Sequence, residues 1–141
     1  MVFIAKLQHK RLSRKYLLDI PLQVKIGYGL YISHGQCVVI NPTVVIGNNV
    51  NLSQFTTIGS NNNNSAIIGD YVYIGPSVCI VEKVFIGDHV IIGAGSVITK
   101  NCESNSTVVG VPGKLLNNNV FNNCYIQNPW NVMQLNKSGL Y

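Results

Sequence analysis

Charge is scarce in this chain: of 141 residues only 11% are charged, and only five are acidic. Cysteine pairs are missing as well. Cys37, Cys79, Cys102 and Cys124 stand apart, with no CxxC or metal-finger spacing, so they are expected as small core or surface residues of a reducing compartment and not as a disulfide framework. No apolar run approaches the roughly 20 residues needed to span a bilayer. The N-terminus is basic but lacks the uninterrupted apolar core of a signal peptide, so a cytoplasmic location is expected. P-loop, GxSxG and strand-linked GxGxxG motifs are absent. There are three histidines, His9, His34 and His89. They are too scattered in repeat phase to converge on zinc, and no metal is expected.

The few charges are unevenly placed. The net charge is +5, and Lys6, Lys10, Arg11, Arg14 and Lys15 supply half of the ten basic residues. Such a segment suits a solvated surface or a weak contact with an anionic membrane surface. Aromatic interleaving is limited to Tyr16, so a nucleic-acid partner is not expected.

What the chain does have is a period. Ile68, Ile74, Ile80, Ile86, Ile92 and Ile98 recur every six residues, and small or β-branched residues follow four positions later at Val72, Val78, Val84, Val90, Ser96 and Cys102. Six fits neither a helix face nor a strand alternation. Short β-branched runs broken by Gly-Asp and Gly-Pro pairs read as strand, turn, strand, turn. Stacked hexads of this kind describe a parallel β-helix, each coil burying its isoleucines against the next.

Read from the start, residues 1–18 form a basic lead-in, weakly helical or irregular, ended by Asp19-Ile20-Pro21. Hexads begin at Ile20, Ile26 and Ile32. The rhythm slips by two residues at His34-Gly35-Gln36-Cys37 before Ile40. It slips again by four after Ile58, where Ser60-Asn61-Asn62-Asn63-Asn64-Ser65 forms a polar loop. After Ile98 the repeat fades into a strand-like run, Val108 to Lys114, that ends in a turn. An Asn-rich tail with no helical period occupies 115–141; it is read either as ordered, packing on the coil or on a neighbouring subunit, or as partly disordered. One β-helix domain, 19–114, therefore lies between a short lead-in and a tail. Function tends to sit on loops held by a rigid scaffold, so the two slips are where chemistry is expected.

On spacing alone His34 has two readings: a satisfied structural histidine, or a neutral imidazole able to take a proton near pH 7. Asp19, fifteen residues earlier, is either a turn residue before Pro21 or a carboxylate that orients the imidazole. His9 and His89 read as surface and turn residues.

The hexads resemble the hexapeptide-repeat acyltransferases, and within them the serine acetyltransferases. The resemblance is carried by Asp19-Ile20, Lys25-Ile26-Gly27-Tyr28-Gly29, Ile32-Ser33-His34-Gly35, Thr57-Ile58-Gly59, Ile74-Gly75-Pro76, Ile92-Gly93-Ala94-Gly95-Ser96-Val97 and Val109-Gly110-Val111-Pro112-Gly113-Lys114, covering about residues 19–115. It implies an all-β, single-stranded left-handed parallel β-helix, a hand that runs against the usual crossover rule. It implies acetyl-CoA as co-substrate and an acetyltransferase that works as a homotrimer, with the cofactor between adjacent subunits. His34 would be the general base and Asp19 its partner. Gly59, Ser60, Asn61, Pro76, Gly93 and Ala94 would line the cofactor groove, with Lys114 near the CoA phosphates. Three departures stand out. The lead-in is far shorter than the family's N-terminal helical domain. The loop after Gly59 lacks the family's Arg-His-Pro run, and Ser33 replaces an acidic residue. The implied function is O-acetylation of a hydroxyl acceptor, L-serine or a sugar of surface-polysaccharide biosynthesis. The alternative of another class is a non-catalytic β-helix interaction subunit. An ice-binding helix would need Thr-x-Thr ladders, which are absent.

Overall fold

In a computed structural model, described here for residues 2–62, 64–118, 124–127 and 129–131, the hexads stack into a parallel β-solenoid. Its strands are two to four residues long and fall on three faces. The first face carries β1 (Lys25–Ile26), β4 (Val45–Ile46), β7 (Ile67–Ile68) and β10 (Phe85–Ile86). The second carries β2 (Tyr31–Ile32), β5 (Asn51–Leu52), β8 (Tyr73–Ile74), β11 (Ile91–Ile92), β13 (Thr107–Val109) and the antiparallel β14 (Lys114–Asn117). The third carries β3 (Val39–Ile40), β6 (Thr57–Gly59), β9 (Cys79–Val81) and β12 (Val97–Ile98).

A strand this short cannot stand alone. Each is fixed by main-chain hydrogen bonds to the coils beside it and by the residue it turns inward. Ile40, Ile46, Leu52, Ile58, Ile68, Ile74, Ile80, Ile86, Ile92 and Ile98 are all buried to within 2% of complete. The second inward row, Val44, Val50, Val72, Val78, Val84 and Val90, fills the space between them. Burying each large aliphatic side chain is worth about 1.5–3 kcal/mol, so the isoleucine column is the main source of stability.

Ile26 pairs with Ile46, Ile46 with Ile68, Ile68 with Ile86 and Ile86 with Cys102. Successive coils therefore take 20, 22, 18 and 16 residues. The two longer coils contain the two slips seen in the sequence. The last is shorter by two, which corrects the expected place of Cys102: it enters the isoleucine column itself, not the valine row. Burial pushes its thiol up to about 11.

The corner between the first and second faces is the most regular. Asn48 Oδ1 accepts from Tyr28 N (2.9 Å), Asp70 Oδ1 from Asn48 N (2.6 Å), Asp88 Oδ1 from Asp70 N (2.8 Å), and Ser104 Oγ from Asp88 N (3.0 Å). Gly69 shows why a glycine precedes this corner: a Cβ there would lie 2.9 Å from the Asp88 amide nitrogen. His89 belongs to this corner too. It is not a free turn residue, because its ring stacks on Tyr71, centroids 5.0 Å apart.

The lead-in is a helix, α1 (Val2–Tyr16). His9, expected as a bland surface residue, ties it down: its Nε2 donates to the Ile20 carbonyl at 3.0 Å. The run after Ile98 continues beyond its expected turn. Lys114 to Asn117 return antiparallel to β13.

Candidate functional site

The third face places nearly every residue singled out in the sequence. His34 lies in the turn that enters it, five residues before Val39. Both His34 (φ 59°) and Gly35 (φ 39°) adopt left-handed backbone, the local cost of fitting two extra residues into a corner. At Gly35 a Cβ would have open space around it, so the backbone angle, not crowding, favours glycine there. The imidazole is exposed.

Asp19 joins the same face from the other side. It bridges to Val39: its N–H donates to the Val38 carbonyl and its own carbonyl accepts from Ile40 N, both at 2.8 Å. Asp19 thus pairs with β3, and His34 lies in the turn that leads from β2 into it. Their side chains are exposed, and neither has a hydrogen bond or ion pair to another described residue.

The candidate cofactor residues divide between the two edges of this face. Pro76 precedes β9, and Gly93-Ala94 precede β12, so they share the edge of His34. Their coils stack through Gly95 N donating to the Pro76 carbonyl at 2.8 Å. Lys114 ends that edge, because Gly113 N donates to the Val97 carbonyl at 2.8 Å. Gly59, Ser60 and Asn61 leave β6 at the opposite edge. By strand rise the two edges are more than about 10 Å apart.

That opposite edge holds a shallow hollow of about 250 Å³ lined by Gly59, Ser60, Asn61, Cys79 and Glu82, among others. Glu82, a residue that sequence reasoning passed over, organises it. Its Oε2 accepts from Ser60 Oγ at 2.9 Å and its Oε1 from Asn61 N at 3.3 Å. Asn41 Nδ2 donates to the Ser60 carbonyl at 3.1 Å. The polar loop is therefore pinned from the coils on both sides. Asn63 lies outside the described residues.

The glycines of the two edges differ in kind. A Cβ at Gly93 would meet Val109 Cγ1 at 2.7 Å, so packing explains it. A Cβ at Gly59 would find nothing nearer than Thr57 Cγ2 at 3.9 Å; none of the described residues requires a glycine there.

A second surface forms where the tail packs on the coil, one of the placements left open for it. The tail residues 124–127 and 129–131 return along the second face. Asn49, 1% exposed, donates from Nδ2 to the Trp130 carbonyl (3.2 Å) and accepts from Trp130 N at Oδ1 (2.7 Å). Asn51 Nδ2 donates to the Tyr125 carbonyl at 2.8 Å, and the Tyr125 ring stacks on Tyr73, centroids 4.2 Å apart. The coil lengths could have flagged the strip it covers: Tyr31, Asn51 and Tyr73 are spaced by one coil each. Nothing in the sequence marked the tail as its partner. Val120, Phe121 and Met133 of that tail lie outside the described residues.

The pattern of the bacterial transferase hexapeptide family (six repeats) matches residues 65–100. The mitochondrial serine acetyltransferase 3 of Arabidopsis thaliana is 38% identical over 117 residues, 80% of this chain and 30% of its own. This is a serine acetyltransferase-like hexapeptide-repeat chain. Its fold is similar to the Neisseria gonorrhoeae serine acetyltransferase in complex with serine, with TM-score 0.73, 35% identity, and 79% of this chain and 47% of that one covered. It is similar also to the Brucella abortus enzyme in complex with coenzyme A, with TM-score 0.73, 29% identity, and 76% and 44% covered. The serine acetyltransferase-like chain thus spans less than half the length of each of these three relatives. Among its described residues no helix is long and apolar enough to cross a membrane, and no cluster of His, Cys, Asp and Glu could hold a metal ion.

Proposed function

We propose that the chain is an acetyl-CoA-dependent O-acetyltransferase with His34 as general base. The observation that carries this reading is the position of His34. It is exposed, in left-handed backbone, at the one two-residue insertion of a solenoid that is similar to serine acetyltransferases solved with serine and with coenzyme A.

In this reading the imidazole takes the proton of the acceptor hydroxyl as the oxygen attacks the thioester carbonyl. The C–S bond then breaks, and the imidazolium returns the proton to the departing thiolate. A thiolate leaves readily, so no protein nucleophile is required. Asp19, beside the same strand, supports the charged ring. Backbone N–H groups near Gly59 and Ser60 offer donors to the oxyanion.

A homotrimer supplies the missing proximity. Packing of one copy's His34 edge against the Gly59 edge of the next brings together groups that one chain holds more than about 10 Å apart. Pantetheine would lie between, passing Pro76, Gly93 and Ala94 toward Lys114. Gly59 fits this placement: no contact with the described residues requires it, and a close ligand would. The cytoplasm, where acetyl-CoA and free thiols are available, is the proposed compartment.

The test is CoA thiol release from acetyl-CoA with L-serine and with a panel of sugars, for the wild type and His34→Ala. Turnover with at least one hydroxyl acceptor is expected, falling about 10²–10⁴-fold in the variant. Undiminished turnover in the variant would overturn the assignment. Failure to bind or turn over acetyl-CoA with any acceptor would favour the non-catalytic interaction subunit.

A further inference from the structure

The second face and the returning tail enclose a groove of about 330 Å³. We propose that this groove is a saccharide subsite, holding the acceptor sugar or the residue next to it. This deepens the acetyl-transfer reading and rests on it only for the identity of the bound sugar as acceptor.

Four observations point there. The groove is lined by phenols (Tyr31, Tyr73, Tyr125), hydroxyls (Ser33, Ser53) and amides (Asn51, Gln127), with no charged side chain among the described residues. A free amino acid carries an ammonium and a carboxylate, and this lining offers neither a counter-charge. A phosphate-rich ligand finds no cation. Neutral polyols need what is present: flat apolar rings for their C–H faces and donor–acceptor groups for their hydroxyls.

The groove is also built, not incidental. The buried Asn49 clamps the tail main chain by two hydrogen bonds, and Asn51 adds a third. The Tyr73–Tyr125 stack closes one wall. A preformed site of this kind binds without an ordering cost. Tyr31 remains 58% exposed, unlike a core aromatic.

Position relates the groove to the chemistry. Ser33, the residue that precedes His34 in the chain, is one of its lining residues. Ser33 also stands where the resembled family has an acidic residue. That exchange removes the one charge that would have faced the ligand.

The test uses the full chain, without acetyl-CoA. Saturation-transfer NMR and titration calorimetry would be run with methyl α-glucoside, methyl β-galactoside, N-acetylglucosamine and maltotriose, with L-serine as comparator. At least one saccharide is expected to bind, and L-serine is not expected to compete. Tyr31→Ala, on an exposed ring, should weaken that binding about three- to tenfold, and Tyr31→Phe should restore it. In turnover, Tyr31→Ala should raise KM for the sugar and leave kcat and KM for acetyl-CoA unchanged. Saccharide binding without any acetyl transfer would leave the subsite standing and remove the enzyme reading. Acetylation of L-serine with no saccharide binding would do the reverse. Binding that Tyr31→Ala leaves unchanged would overturn the subsite.

Discussion

The corner between the first and second faces and the edges of the third face are built from the same hexads, yet they behave oppositely. At the first, every coil repeats one arrangement: a side-chain oxygen accepts the amide of the coil before it, from Tyr28–Asn48 through Asp88–Ser104. At the second, the entry turn still repeats, with Phe55, Ser77 and Gly95 N–H donating to the Gln36, Gln54 and Pro76 carbonyls, but the coils differ around it. His34-Gly35 is inserted at one edge. At the other edge Asn41–Thr43, the Ser60–Asn64 loop, Glu82-Lys83 and Lys100-Asn101 all differ. A regular corner holds the stack in register. An irregular one costs little, because loop closure grows only slowly with length, and it frees side chains for other work. Stability and proposed chemistry are therefore divided between regions of the same coil.

The largest contrast expected pairs Ile80→Ala with His34→Ala. Ile80 is 1% exposed in the centre of the column, and its truncation should cost about 2–5 kcal/mol in denaturant unfolding. His34→Ala should change stability by less than about 0.5 kcal/mol while turnover collapses. Equal effects of both on stability would erase the division.

A smaller effect concerns the short last coil. The Cys102 thiol ionises near 9 when unfolded and is pushed up to about 11 by burial. The folded state thus holds the proton longer. Its contribution is complete below pH 9 and is lost as pH rises from 9 to 11. Stability followed by denaturant titration should fall over that window, and Cys102→Ala should remove the slope.

The smallest effects separate the two kinds of corner. Asp88→Ala deletes a ladder acceptor and should cost about 1 kcal/mol. Gly59→Ala should leave thermal unfolding unchanged, since its Cβ has room, and should raise KM for acetyl-CoA. An unchanged KM would remove Gly59 from the proposed groove.

The column was legible because a six-residue period survives any loop inserted between its members, and the two insertions were visible as its interruptions. The family resemblance added roles that spacing could not supply. Other features depend on contacts that no period encodes. His9 reaches Ile20 only once α1 folds back. Glu82 looks like any turn residue until the coil before it places Ser60 above its carboxylate. Cys102 was assigned to the wrong row because counting from Ile98 assumes a full coil, and that coil is two residues short. The returning tail at Tyr125 and Trp130 has no repeat to betray it, and it completes the groove proposed for saccharide.

The most direct measurement is the excision of His34 and Gly35 together, which returns a 20-residue coil to the 18 residues of the regular coil between Ile68 and Ile86. Thermal unfolding and acetyl transfer would be followed on the same preparation. The expected result is a solenoid at least as stable as the wild type, relieved of two left-handed residues, that no longer transfers acetyl. Retained transfer, or a chain that fails to fold, would contradict the separation of a structural frame from the breaks that carry the reaction.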